Sequence, residues 1–138
     1  MKLLLLLLLS TSCGAAMSVT PSDSRLIPYY EMFKVDAIRF NVPLPKKAPL
    51  MVVVEKFTKP NLIGLCNHTS YTVSIREDIL KNPKQLRMLM YHELGHCLLD
   101  RPHTSKKIGQ IMSPSVASAY TEAQWEKLIF RFFRGLNK

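Results

Sequence analysis

The sequence has no apolar run long enough to cross a membrane. Its longest, Leu3 to Leu9, holds seven leucines, where a helical span needs about 20 apolar residues. Beyond that run there is no internal repeat and no low-complexity tract, so the remainder reads as one compact unit rather than an array. With 138 residues there is no room for a second domain of ordinary size. Acidic residues are scarce, 10 against 19 lysines and arginines, for a net charge of +9. An excess of this size can mean nucleic acid, anionic lipid or acidic substrates. The basic residues, however, are spread along the chain without interleaved aromatics or a recognition motif, and no nucleic-acid partner is expected. Cysteines number three, and one of them falls in the leading segment.

That segment runs from Met1 and Lys2 through the leucines to small residues ending at Ala16, the pattern of a signal peptide. Residues 1–16 are therefore expected to be a leader and 17–138 a single domain. Cys13, preceded by Ser10, Thr11 and Ser12 and followed by Gly14, resembles a lipoprotein cleavage site, although Ser10 stands where leucine is usual. Cleavage after Ala16 is the alternative. The expected location is the periplasm or outer membrane, as a lipoprotein, or outside the cell as a secreted protein. Membrane contact would come only through a lipid on Cys13. The remaining pair, Cys66 and Cys97, is expected to form a disulfide in an oxidising compartment, a staple contributing about 2 to 4 kcal/mol.

Ser18 to Asp23 reads as a linker. Pro28 to Phe40 reads as a helix that packs Tyr29, Tyr30, Phe33, Ile38 and Phe40 on a core. Prolines at 43, 45 and 49 forbid regular structure up to Leu50. Leu50 to Phe57 is valine-rich and short, a buried strand. Leu62 to Cys66 and Tyr71 to Ile75 flank the polar cluster Asn67 to Ser70 as a hairpin or two neighbouring strands. Asn82 as cap and Pro83 at the first helical position open a helix expected to reach about Leu99, with Lys84, Gln85 and Arg87 facing water. Thr121 and Gln124 make a capping box for a last helix whose stripe is Trp125, Leu128, Ile129, Phe132, Phe133 and Leu136. Such a stripe points to core packing rather than a membrane surface. The fold class expected is α+β: a small mixed sheet, then a metal-binding helix and a C-terminal helix.

The chemistry lies in His92-Glu93-Leu94-Gly95-His96. Residues four apart lie one turn apart on one helix face, so both imidazoles can reach one ion. Zinc takes few nitrogen, sulfur or oxygen ligands, and a catalytic site keeps one position for water. Glu93, next to the first ligand, can take that water's proton. The continuation Cys97 to His103 turns the chain and offers a third imidazole, and Ile111-Met112-Ser113-Pro114 follows.

With these residues the sequence resembles the metzincin clan of zinc peptidases, in which HExxHxxGxxH precedes a methionine-containing turn beneath the metal. It looks most like a group of small bacterial metallopeptidases related to that clan, with HELGHC, a third histidine seven residues on, and IMxP. His92, Glu93, His96 and Met112 match the pattern. Leu99 stands where the clan has glycine, and the third histidine is one residue late, with Pro102 in its place. His103 is the candidate third ligand and Asp100 the alternative; Asp100 could instead orient a ligand imidazole. The resemblance implies a zinc-dependent endopeptidase, acting as a monomer on peptide or protein substrates, with an extended substrate lying antiparallel to an edge strand. Tyr71 to Ile75 is the expected edge. Two other readings remain open: a noncatalytic, zinc-stabilised envelope binding protein, and a cell-wall peptide amidase. His68 reads as an exposed loop residue, Tyr91 as core, and Tyr120 as having no required role.

Overall fold

A computed structural model describes residues 21–105 and 109–135. The expected leader with Cys13, residues 18–20 of the linker, and Leu136 lie outside the described residues. The elements are α1 (Ile27–Arg39), β1 (Leu50–Val54), β2 (Gly64–Asn67), β3 (Thr72–Arg76), a short 3-10 turn at Glu77–Lys81, α2 (Pro83–Leu99) and α3 (Glu122–Arg134). Three strands in a mixed sheet with three helices make the α+β fold that the sequence leads one to expect.

The helix starts follow the local chemistry read from the sequence. Asn82 Oδ1 accepts from the Gln85 N–H at 3.1 Å, satisfying a donor that the first turn leaves unpaired. At α3 the box is reciprocal: Thr121 Oγ1 accepts from Gln124 N–H at 3.2 Å, and Gln124 Oε1 accepts from Thr121 N–H at 2.7 Å. The 3-10 turn before α2 was not anticipated.

In the sheet the order is β1-β3-β2. β1 runs parallel to β3 from Leu50↔Thr72 to Val54↔Arg76, and β2 runs antiparallel to β3 from Gly64↔Ile75 to Asn67↔Thr72. The expectation that Tyr71 to Ile75 is the edge is thereby corrected: β3 is central and β2 is an edge. A hairpin pattern says that β2 and β3 pair, but which of them receives β1 depends on tertiary packing.

α2 is buried on almost every face, with Leu86, Met88, Leu89, Met90, Tyr91, Leu94, Cys97 and Leu98 in the core. It packs against α1 on one side and β2 and β3 on the other. α1 buries Tyr30, Phe33 and Ala37, whereas Ile38, expected in the core, is 74% exposed. Helical spacing from Phe33 leads to Ala37, and Ile38 lies about 100° further round. α3 closes the core through aromatic edges: Phe33 meets Phe132 at 6.0 Å and Phe133 at 5.4 Å, and Trp125 meets Tyr91 at 4.8 Å. Each such pair adds about 0.5–1.5 kcal/mol beyond the area it buries. Trp125, Ile129, Phe132 and Phe133 of the α3 stripe are thus core, with Leu128 partly buried beside them. Arg87, expected in water, lies over the Trp125 ring at 4.4 Å and pairs with Glu122 at 2.7 Å, because its long stem covers an aromatic face while its charge reaches the surface.

Cys66 and Cys97 are disulfide-bonded, with Cα atoms 5.6 Å apart and a sequence separation of 31. The bond joins β2 to α2 as expected, and closing a loop of that length constrains the unfolded chain by about 4 kcal/mol. Among the described residues, no helix is long and apolar enough to cross a membrane.

Candidate metal centre

Two histidines come from consecutive turns of α2, and their Nε2 atoms lie 3.2 Å apart. Beyond Leu99 the chain leaves the helix through Asp100, whose φ of 50° and ψ of 37° are left-handed. The Arg101 N–H closes the helix end on Gly95 O at 3.0 Å. Reversed in this way, the loop brings His103 back, and its Nε2 stands 3.0 Å from that of His92 and 3.1 Å from that of His96. The three form a group able to hold a metal ion. Asp100, the alternative ligand, is exposed at the helix end and is not in that group.

The outer ring nitrogens decide what the inner ones present. His92 Nδ1 lies 2.7 Å from Ile111 O, and His96 Nδ1 lies 2.5 Å from Arg101 O. A carbonyl only accepts, so each Nδ1 carries the proton and each Nε2 of a neutral ring carries a lone pair. Burial favours the neutral rings. His92 is pushed down to about 4, mainly by desolvation, and His96 is lowered for the same reason. Main-chain carbonyls, not Asp100, therefore orient these two imidazoles, an arrangement common behind metal ligands. Lone pairs about 3 Å apart repel one another unless a cation sits among them. Tetrahedral ligands at zinc–nitrogen distances of about 2.0–2.1 Å stand roughly 3.3–3.4 Å apart, so the 3.0–3.2 Å triangle fits such an ion with little movement.

Beside His92 is the turn Gln110–Ser113, closed by Ser113 N–H on Gln110 O at 3.1 Å and tied to the histidine loop by Thr104 N–H on Met112 O at 2.9 Å. Met112 is 2% exposed. A Cβ added at Gly95 would lie 2.7 Å from its Sδ and 3.1 Å from the Phe132 ring. Gly95 is what lets the methionine turn press against α2. Met112 therefore packs on α2 beside His96, and the Ile111 carbonyl from the same turn lies against His92 Nδ1.

Glu93 faces the other wall. The residue is 5% exposed. Desolvation pushes its carboxyl up to about 7, against a lowering by the nearby Cys66 main chain. A Cβ at Gly64 would lie 2.7 Å from Glu93 Oε1 and 2.8 Å from Leu89 Cδ1, so the bare backbone of β2 is what leaves the carboxyl its space. Between β2, α2 and residues 114–116 runs a cleft of about 460 Å³, with His92, Glu93, His96 and His103 on its surface, within the usual size of a ligand site.

His68, expected as a plain loop residue, is exposed but lines this cleft. Tyr91 is core as expected, fully buried, and its hydroxyl donates to Asp36 Oδ2 at 2.7 Å. The Tyr120 hydroxyl donates to Lys84 O at 2.8 Å and accepts from Arg87 Nε at 2.9 Å, which commits it to the α2–α3 junction. Gly64, Gly95 and the Ile111 and Arg101 carbonyls were missed in the sequence. The glycine in His-Glu-Leu-Gly-His could have been found, since a helix-interior glycine is destabilising and calls for a packing reason. The main-chain groups carry no side-chain signal. No family model, curated protein or solved structure matches this chain.

Proposed function

We propose that the chain is an exported zinc-dependent endopeptidase in which His92, His96 and His103 hold the ion and Glu93 is the general base. The observation that carries this reading is the convergence, in one cleft, of three imidazole nitrogens and a buried carboxyl on the residue following the first of them. Zinc, when bound there, supplies a Lewis acid for the substrate carbonyl and makes a water more acidic. Glu93 takes a proton from the attacking water at its carboxylate and returns it to the leaving nitrogen. The outer edge of β2 offers main-chain groups to an extended peptide.

The geometry of the helix end supports the metzincin resemblance. Left-handed Asp100 stands three residues before His103, as the clan's glycine stands three before its third histidine. Both departures from the pattern then reduce to one extra helical residue. The disulfide supports export, because oxidising compartments preserve such bonds. A noncatalytic zinc protein would have no use for a buried ionisable group beside its ligands, and an amidase on cell-wall peptides would use the same constellation.

The test is metal content by mass spectrometry together with cleavage of a peptide library and of cell-wall peptides, on wild type and Glu93→Gln. One zinc per chain in both proteins, with cleavage only by wild type, is the expected result. No zinc in folded, metal-supplemented wild type overturns it.

A further inference from the structure

β2 has β3 on one side only, yet it forms a wall of the cleft and sets Gly64 against the Glu93 carboxyl. Its registry on α2 follows from two repeats. Gly64 and Cys66 are two residues apart on a strand, a rise of about 6.6 Å. Glu93 and Cys97 are four apart on a helix, a rise of about 6.0 Å. The two steps nearly coincide, so Gly64 lies against Glu93 while Cys66 reaches Cys97. The covalent bond therefore sits one strand step from the residue that lies against the base.

The ligands are fixed differently. His92 and His96 are oriented by Ile111 O and Arg101 O, and neither carbonyl belongs to β2. Breaking the disulfide frees the strand without touching what holds the imidazoles. We infer that Cys66 and Cys97 are positioning residues for Glu93: their bond holds the cleft-wall strand so that its backbone at Gly64 stays against the carboxyl and keeps it in the cleft, and its reduction lowers turnover while the metal stays bound. The inference rests on the peptidase reading above.

Dithiothreitol supplies the probe. It delivers two electrons and two protons, the Sγ–Sγ bond becomes two thiols, and the reagent closes to its own disulfide. Oxidised wild type, reduced wild type and the Cys66→Ala/Cys97→Ala double variant are compared well below their unfolding temperatures. Zinc content, kcat and KM on a cleaved peptide, and amide exchange of 64–67 in the metal-free protein are measured. Expected are unchanged zinc, a kcat at least tenfold lower with KM changed less than threefold, faster exchange at Cys66, and recovery of kcat on reoxidation. An unchanged kcat in the folded, zinc-loaded double variant overturns the inference, as does a Cys66 amide equally protected with and without the bond. If oxidised wild type cleaves nothing, the peptidase reading fails, and the exchange measurement alone decides whether the bond anchors the strand to Glu93.

Discussion

Replacing Glu93 by glutamine should stabilise the metal-free protein, and by an amount that depends on pH. Burial raises this carboxyl from 4.5 to about 7. A raised acid binds its proton more tightly in the folded than in the unfolded chain, so its favourable contribution is complete below the unfolded pKa of 4.5 and is lost as pH rises through 7. A shift of about 2.5 units corresponds to about 3 kcal/mol at full ionisation. At pH 8 nearly all of that opposes folding of the wild type, whereas at pH 5 less than about 1 kcal/mol does. The neutral amide carries no charge to desolvate. The stability difference between variant and wild type should therefore grow in the variant's favour by about 2.5 kcal/mol from pH 5 to pH 8. Urea unfolding of both proteins after chelation, with the disulfide intact, measures it. Using the difference at each pH cancels the histidines, whose depressed pKa values cost stability as pH falls below about 6.5 in both proteins. A difference constant within about 0.5 kcal/mol would refute the claim that burial sets the ionisation of Glu93.

Other consequences are open to direct measurement. His103→Ala should weaken zinc by more than about 100-fold, beyond what loss of an orienting group costs, while Asp100→Ala should leave affinity unchanged in a competition titration. Asp100→Gly should keep zinc and raise stability by up to about 1 kcal/mol, since glycine adopts the left-handed conformation without strain. Gly95→Ala should destabilise by about 1–3 kcal/mol in spite of alanine's better helix propensity, because the added methyl meets Met112 Sδ at 2.7 Å; a higher unfolding temperature would contradict that packing. Gly64→Ala should retain zinc and lower kcat by displacing the Glu93 carboxyl, whose Oε1 stands 2.7 Å from the new Cβ.

By itself, the sequence determined what depends on neighbours along the chain. Asn82-Pro83 and Thr121 with Gln124 start helices because a side chain pairs with an N–H only three residues away. His92 and His96 share a face because four residues make about one turn. The Cys66–Cys97 bond was legible from composition, as the one pair left outside the leader. Tertiary structure decided the rest. The choice of His103 over Asp100 depended on where the helix ended: Asp100 took the left-handed turn, and the imidazole, not the carboxylate, came back to the other two. The edge strand depended on which side of the hairpin β1 docked, a contact between segments that no local pattern encodes. The raised pKa of Glu93 and the lowered pKa of His92 arise from desolvation, and desolvation exists only once β2, α2 and the methionine turn have closed over them.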